Sequence, residues 1–230
     1  MPDQWALRVL QVARVQHIGK SAKKLEGMMA KPTDALIVID VQNDFCPGGL
    51  LAVADGDAIM PRINALMGNF AVRVVTQDWH PADHTSFAAN HLGAVEYSMV
   101  EMPYGPQVLW PVHCVQGSVG AQFHPGLHND PADLVIRKGF RSAIDSYSAF
   151  FENDHTTPTG LDGYLRARSV TAVTLVGLAT DFCVAYSALD AARLGYSVTV
   201  LEGACRAIDL NGSLAKAREL MQTAGVVLSD

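Results

Sequence analysis

The sequence predicts an α/β protein of three layers (α/β/α), in which a mostly parallel central sheet of about six strands lies between helices. From residue 35 onwards, short apolar runs alternate with segments of helical spacing, a pattern typical of β–α–β units and of a parallel sheet. Several of these runs are continuously apolar, as in strands that are buried on both faces. The 230 residues are 49% hydrophobic, which is enough for one sizeable core.

The predicted elements follow one another as strand, helix and strand along the chain. The predicted strands cover residues 35–41, 72–77, 133–139, 171–178, 197–204 and 226–228. The predicted helices cover residues 57–70, 160–169, 183–195 and 211–225. Residues 79–131 are rich in His, Pro and Gly, and we expect a long structured loop with short helical turns there. A loop of this length in a compact domain is usually functional.

Charge and cysteine content narrow the classes of partner. The net charge is −6 and the pI is about 5.7, which argues against nucleic acid because phosphate binding needs a basic face. No apolar run approaches the ~20 residues that span a bilayer, so we expect no membrane partner. The four cysteines are widely spaced, without a CxxC pair, which favours free thiols in a reducing cytoplasm. The sequence leaves a homo-oligomer open.

Residues 1–31 differ from the rest of the chain. They hold six Lys or Arg residues against Asp3 and Glu26, a local balance of +4. We interpret them as an N-terminal extension, disordered or translated from an upstream start, with Met28 or Met29 as the natural first residue. A basic targeting segment is the alternative interpretation. The domain itself is predicted to cover residues 32–230.

Reactive side chains follow four of the predicted strands. Asp40 comes after the first strand, Asp78 and His80 after the second, Lys138 after the third, and Cys183 after the fourth and a tight turn. Ligands of open parallel sheets bind beyond the carboxyl ends of the strands. We therefore expect these five side chains to lie on one rim of the sheet.

Asp40, Lys138 and Cys183 suit nucleophilic catalysis. A thiol with an ordinary pKa is mostly protonated at neutral pH, so it needs a base and a group that stabilises the anion. Burial raises the pKa of a carboxyl such as Asp40 and makes it a better proton acceptor, and the start of a helix favours a thiolate at Cys183. Taken singly, the three residues are also compatible with a strand cap, a surface charge and a structural thiol.

A second set of residues has the composition of a metal site. Asp78 and His80 are two residues apart, His84 follows His80 by four, and His113 comes from the long loop. One carboxylate and three imidazoles form a good site for a divalent transition metal. Histidines that only cap loops are the alternative. Three other histidines compete for the third imidazole position: His91, His124 and His128.

Several motifs, taken together, resemble those of the nicotinamidases, also called pyrazinamidases, of the isochorismatase-like cysteine hydrolases. They are ALIVIDVQNDFCPGG, TQDWHPADHTSF, WPVHCVQGSVGAQFHP, IRKGF, DSYSAFF and GLATDFCVAYSALDA. The resemblance runs in register from about residue 35 to the end of the chain. It implies the isochorismatase-like hydrolase fold.

The resemblance also implies a role for each site residue. Asp40 would be the base, Lys138 its electrostatic partner and Cys183 the nucleophile, while Asp78, His80, His84 and His113 would hold the metal. The Leu178–Ala179 bond would be a cis peptide, and the N–H groups of Ala179 and Cys183 would form the oxyanion hole. Six residues would contact the substrate: Phe45, Leu51, Trp110, Tyr147, Leu178 and Phe182. Some relatives have a histidine at the position of Phe182.

The activity implied by the resemblance is hydrolysis of nicotinamide to nicotinate and ammonia, and of pyrazinamide to pyrazinoate, through a thioester on Cys183 in NAD salvage. The cofactor would be one divalent ion, Zn²⁺, with Fe²⁺ and Mn²⁺ as alternatives, and it would bind the ring nitrogen of the substrate. Two other functions remain open. One is hydrolysis of a different small amide or ureido compound, and the other is binding of a metal or ligand without catalysis.

Overall fold

The computed structural model describes residues 31–230, so the predicted N-terminal extension lies, apart from Lys31, outside the described residues. In this part of the chain, six strands form one central sheet. They are β1 (Asp34–Ile39), β2 (Val72–Asp78), β5 (Leu134–Lys138), β6 (Ala172–Leu178), β7 (Ser197–Arg206) and β8 (Val227–Ser229). Their order is β5-β2-β1-β6-β7-β8, and every neighbouring pair is parallel. The predicted parallel sheet of about six strands is confirmed.

Four α-helices of the described chain match the predicted ones. They are α1 (Met60–Met67), α2 (Leu161–Ala167), α3 (Ala185–Arg193) and α4 (Ser213–Thr223). The first is shorter than predicted because residues 57–59 lie in turns before it. Parallel strands are joined by right-handed crossovers. The helix that leads from β1 to β2 therefore covers one face of the sheet, and the helices of the later crossovers cover the other.

The centre of the sheet is buried on both faces. Residues 35–39 of β1 are at most 1% exposed, as their continuously apolar sequence predicts. From β1 the chain moves outward to β2 and β5, whereas from β6 it moves the other way to β7 and β8. The strand order thus reverses between β1 and β6. Ligand sites of open α/β sheets lie beyond the carboxyl ends of the strands at such a point.

The long segment between β2 and β5 contains a feature that the sequence did not predict. The expected short helical turn is present at Ala88–Asn90, but a two-stranded antiparallel hairpin follows it, formed by β3 (Met99–Met102) and β4 (Gly105–Val108). Its strands are short, their residues other than Gln107 are exposed or partly exposed, and β4 begins with Gly and Pro. They lack the apolar alternation that marks a strand in a sequence.

Two further sequence predictions concern the state of the cysteines and the presence of membrane-spanning helices. All four cysteines are free and buried, as their spacing predicts. Among residues 31–230, no helix combines the length and the apolar character needed to cross a membrane.

Candidate active site

The sheet brings four reactive side chains to one point. Asp40 directly follows β1, Asp78 ends β2, Lys138 ends β5, and Cys183 follows β6. All four are buried, with exposed fractions of 6% or less. The rim predicted from the strand ends is therefore present, and it lies around the point where the strand order reverses.

Lys138 is the centre of this cluster. Its Nζ lies 2.9 Å from Oδ2 of Asp40 and 3.4 Å from Sγ of Cys183. It also donates to the carbonyl of Ser146 at 2.9 Å and to Oδ1 of Asp78. Burial lowers the pKa of Lys138, but the Asp40 and Asp78 carboxylates more than offset it and hold the pKa well above its usual value. The ammonium is therefore permanently charged and links base, nucleophile and Asp78.

Asp40 has the properties of a general base. Burial raises its pKa to about 6, although Lys138 opposes that rise, so its proton affinity at neutral pH exceeds that of a solvated carboxylate. Its Oδ1 accepts a hydrogen bond of 2.6 Å from the hydroxyl of Thr76. The backbone of Asp40 lies in the left-handed region with φ 48°. Strained backbone of this kind is concentrated at functional sites.

Cys183 lies in a single π-helical turn, Thr180–Val184, which leads into α3. The turn widens the start of the helix, and such π turns are frequent at functional sites. Burial raises the pKa of Cys183 well above its usual value, and Lys138 only partly opposes this. The resting group is therefore a thiol that needs a neighbouring base. The Leu178–Ala179 peptide bond before the turn is cis, as the resemblance implies.

Three of the predicted metal ligands converge beside the cluster. Oδ2 of Asp78 lies 3.6 Å from Nε2 of His80 and 3.9 Å from Nε2 of His113. The Nδ1 atoms of the two histidines lie 2.8 Å from the carbonyls of Gly139 and Pro111. These carbonyls accept from Nδ1–H, which leaves each Nε2 lone pair directed at the centre. This is the outer contact that metal-bound histidines make.

The surroundings of the two imidazoles favour the neutral, metal-binding form at one of them. Burial lowers the pKa of His113 to about 4 and is assisted by His80, so His113 is a neutral imidazole. For His80, burial is outweighed by the Asp78 carboxylate, which raises the pKa. Burial also raises the pKa of Asp78, but Lys138 and His80 bring it below its usual range. An ionised carboxylate and a neutral imidazole are the forms that bind metals.

His84 occupies a different position from the other three. Its ring centroid lies 4.4 Å from that of His80, but its ligand atoms group with His80 and Asp145 rather than with Asp78 and His113. Its Nδ1 lies 2.7 Å from the hydroxyl of Ser86, and its Nε2 lies 3.2 Å from the carbonyl of Ile144. Its role as a fourth ligand stays a prediction. Within residues 31–230, His91, His124 and His128 belong to no such cluster.

The isochorismatase domain model matches residues 34–230 of the chain. A nicotinamidase of Acinetobacter baylyi is 56% identical over 192 residues, which cover 84% of this chain and 90% of the relative. A structure titled as a nicotinamidase and pyrazinamidase of Acinetobacter baumanii is 57% identical with a TM-score of 0.86, and the match covers 87% and 97% of the two chains. The chain belongs to the nicotinamidase/pyrazinamidase group of the isochorismatase family.

A more distant member of the family bears on the metal cluster. The solved pyrazinamidase of Pyrococcus horikoshii is in complex with zinc; it is 34% identical, with a TM-score of 0.69, and the match covers 86% of this chain and 99% of that one. The family assignment confirms the resemblance on which the residue roles depend. The roles themselves stay predictions that the geometry supports.

Aromatic side chains form a wall beside the nucleophile of this nicotinamidase-family site. The Phe182 ring packs edge-on against Trp110 at 4.8 Å between centroids, and Tyr147 lies 5.7 Å from Phe182. Phe45 packs against His113 at 5.4 Å, on the metal side. These contacts place four of the predicted substrate-binding residues around the cluster. The other two, Leu51 and Leu178, are buried core residues with exposed fractions of 5% and 0%.

Several residues that build the site had no signal in the sequence. Thr76 is an inward-facing residue of β2 that the strand pattern does not distinguish from packing. Asp145 and Ser146 lie in an irregular loop after β5, where no periodicity indicates direction. Gln107 lies on the unpredicted strand β4. Except for Ser146, which accepts from Lys138 eight residues away, each makes its contact with a residue distant in sequence, which composition and spacing alone do not show.

Proposed function

We propose that the protein hydrolyses nicotinamide to nicotinate and ammonia, and pyrazinamide to pyrazinoate and ammonia, as its family relatives' names indicate. The observation that carries the proposal is the buried group in which Nζ of Lys138 lies 2.9 Å from the Asp40 carboxylate and 3.4 Å from the Cys183 sulfur. Nucleophile, base and cation of a covalent amidase are thus in contact.

The first step transfers the thiol proton of Cys183 to Asp40 while the sulfur attacks the carboxamide carbon. Asp40 is suited to accept this proton because its pKa, raised by burial, is about 6. The Lys138 ammonium stays charged throughout. It stabilises the negative charge that passes from Asp40 to the Cys183 sulfur. The carbonyl π pair of the substrate moves onto oxygen and gives a tetrahedral oxyanion. Preorganised N–H donors, which we assign to Ala179 and Cys183, can each stabilise such an oxyanion by about 3 kcal/mol.

Collapse of the tetrahedral species breaks the carbon–nitrogen bond. Asp40 returns its proton to the departing nitrogen, which leaves as ammonia, and the acyl group remains on Cys183 as a thioester. Asp40 is again a carboxylate and can accept a proton from water. The hydroxide so formed attacks the thioester, and the carbon–sulfur bond breaks. The carboxylic acid departs, and the proton on Asp40 returns to the thiolate.

The metal cluster fits a divalent cation. Ligand atoms bound to one ion at about 2.1 Å lie roughly 3–3.5 Å apart, and the measured 3.6 and 3.9 Å between Asp78 and the two histidines are close to this spacing. We propose that Asp78, His80 and His113 hold Zn²⁺, with His84 at the edge of the site; the zinc complex of the Pyrococcus relative supports this choice. When bound, the ion supplies an electron-pair acceptor for the ring nitrogen of the substrate.

The aromatic wall suits a flat heteroaromatic ring. Phe45 lies on the metal side, and Trp110, Tyr147 and Phe182 lie on the side of the nucleophile. We propose that the ring binds between them, with its carboxamide directed at Cys183. We also expect the enzyme in the reducing cytoplasm, since its cysteines are all free.

The test is an ammonia-release assay with nicotinamide, pyrazinamide, benzamide and a small ureido compound. We expect turnover of the two ring-nitrogen amides, a loss of activity after chelation, and little turnover of benzamide, which has no ring nitrogen. Preferred turnover of the ureido compound would instead identify a different amidohydrolase. Absence of turnover with all four amides in the zinc-loaded protein would contradict the proposed function.

A further inference from the structure

Gln107 is a buried polar residue that none of the steps above uses. It lies on β4, the second strand of the small hairpin, and its exposed fraction is 0%, although its neighbours in that strand are partly exposed. A carboxamide removed from water is costly unless its hydrogen-bonding groups find partners. The partners of Gln107 therefore indicate what this side chain is for.

The carboxamide of Gln107 has a defined orientation. Its Nε2 lies 2.8 Å from three oxygens, those of the Tyr147 hydroxyl, the Asp145 carboxylate and the Val108 carbonyl. Its Oε1 accepts a hydrogen bond of 3.0 Å from Nδ2 of Asn153. The reverse orientation would place Oε1 against a carboxylate and a carbonyl, neither of which donates. The N–H groups of Gln107 therefore face Tyr147 and Asp145.

The hydroxyl of Tyr147 receives a second donor from the opposite side. Nε1 of Trp110 lies 2.9 Å from it, so both acceptor positions of the phenol oxygen are used. The ring of Tyr147 is further held by its own backbone, because its N–H donates to Oδ1 of Asn153 at 2.9 Å. Asn153 and Gln107 also bond each other, so the tyrosine is held at its backbone and at its hydroxyl by one connected network.

This network ends on the aromatic wall of the proposed substrate pocket. Trp110 and Tyr147 both pack edge-on against Phe182, the residue before the nucleophile. Packing already buries the indole and the phenol, and the two hydrogen bonds to the Tyr147 hydroxyl add a directional restraint on both rings. The buried amide of Gln107, through the Tyr147 hydroxyl, thus fixes the positions of the Tyr147 and Trp110 rings relative to Phe182.

We propose that Gln107 is a positioning residue for the aromatic pocket, which orients Tyr147 and, through its hydroxyl, Trp110. The inference rests on the proposed function, because the pocket is assigned to a flat ring. Gln107 does not contact the reacting groups, whose positions are set by the ends of β1 and β5 and by the turn that follows β6. Its loss should therefore weaken substrate binding while leaving the chemical step intact.

The experiment compares Gln107→Leu, the unbranched Gln107→Met, Tyr147→Phe and the double variant Gln107→Leu/Tyr147→Phe. We expect KM for nicotinamide to rise about tenfold in each single variant, the effect of one lost hydrogen bond to a buried group, with kcat within about twofold. Both single variants break the same series of hydrogen bonds. The KM of the double variant should therefore rise about tenfold rather than a hundredfold. Gln107→Met, which is unbranched and of similar length, serves where Gln107→Leu does not fold.

The matched control is Tyr104→Phe, which removes a hydroxyl that donates to Oε1 of Gln107 at 3.3 Å but leaves the amide's contact with Tyr147. Its KM should stay within about twofold of the KM of the parent protein, since this weaker contact is not one of the hydrogen bonds that link Gln107, Tyr147 and Trp110. A readout without catalysis is the exchange of the Trp110 indole N–H with solvent, followed by NMR. It should speed up in Gln107→Leu and in Tyr147→Phe, and not in Tyr104→Phe.

Three outcomes would overturn the inference: an unchanged KM in Gln107→Leu and Gln107→Met, multiplicative effects in the double variant, or unchanged indole exchange. A fall in kcat at constant KM would assign Gln107 to the chemical step and also overturn it. If the parent protein released no ammonia from nicotinamide, the proposed function would fail, whereas the indole exchange would still test the network independently.

Discussion

The two halves of the site are held in place by different means. The proposed catalytic half, with Asp40, Lys138 and Cys183, lies at the ends of parallel strands of the central sheet or in the turn that follows one. The proposed recognition half, with Trp110, Tyr147 and most of the histidines, lies between residues 79 and 160, where the chain is irregular apart from one short helical turn, the β3–β4 hairpin and strand β5. There, side-chain hydrogen bonds take the place of the regular backbone hydrogen bonds between neighbouring strands. The comparison teaches that chemistry and recognition can be altered separately in this fold.

The largest effect should come from the catalytic half. Cys183→Ala removes the sulfur that forms the thioester, and we expect kcat to fall by at least about 10⁴-fold, as for other nucleophiles that act within a unit. The bound metal, measured by atomic emission, should be unchanged because Cys183 is not among the proposed ligands. Near-normal activity in this variant would mean that a metal-activated water, and not the cysteine, attacks the amide.

Lys138→Met should lower the free energy of unfolding by disrupting the catalytic half. The substitution leaves the buried carboxylates of Asp40 and Asp78 without their cation, and removal of one member of a buried ionic group costs about 3–5 kcal/mol of unfolding free energy. Urea denaturation measures this loss. Lys31→Met, at an exposed position, is the control and should change the unfolding free energy little. Equal midpoints for the two variants would contradict the central position of Lys138.

The two halves also differ in how far the sequence could predict them. The strands, their parallel order and the rim of Asp40, Asp78, Lys138 and Cys183 followed from apolar periodicity and from where polar residues interrupt it. Gln107 and Asp145 could not be found this way, because Gln107 contacts Asp145 and Tyr147 across separations of 38 and 40 residues in the sequence. Local patterns carry no information on such long-range side-chain contacts.

His84 is the point at which the sequence and the geometry differ most, and substitution sharpens the comparison. His113→Ala removes a member of the convergent set, so we expect Zn²⁺ affinity to fall by about 100-fold or more. His84→Ala, which removes an imidazole that contacts His80 from outside, should lower it about tenfold, as outer contacts of metal sites do. Competition with a chromogenic chelator measures both. Equal losses would place His84 in the ligand set on the same footing as His113.

The smallest effect concerns the proton affinity of the base. Asp40 must be ionised to accept the thiol proton, and burial raises its pKa to about 6. The rate constant kcat/KM should therefore fall as pH drops through about 6, with the metal content checked at each pH. Thr76→Val removes a hydrogen bond that favours the carboxylate, so the midpoint should rise by up to about one pH unit. A midpoint that moved downward would exclude Asp40 as the titrating base.

The central claim is that the Cys183 sulfur carries the acyl group during turnover. Rapid acid quench of the enzyme with saturating nicotinamide, followed by intact-protein and peptide mass spectrometry, tests it most directly. We expect a species in which a nicotinoyl group replaces the thiol hydrogen of Cys183, present during turnover and absent after the substrate is consumed. Full activity with no acyl group on Cys183, in a quench that preserves an authentic thioester, would contradict it.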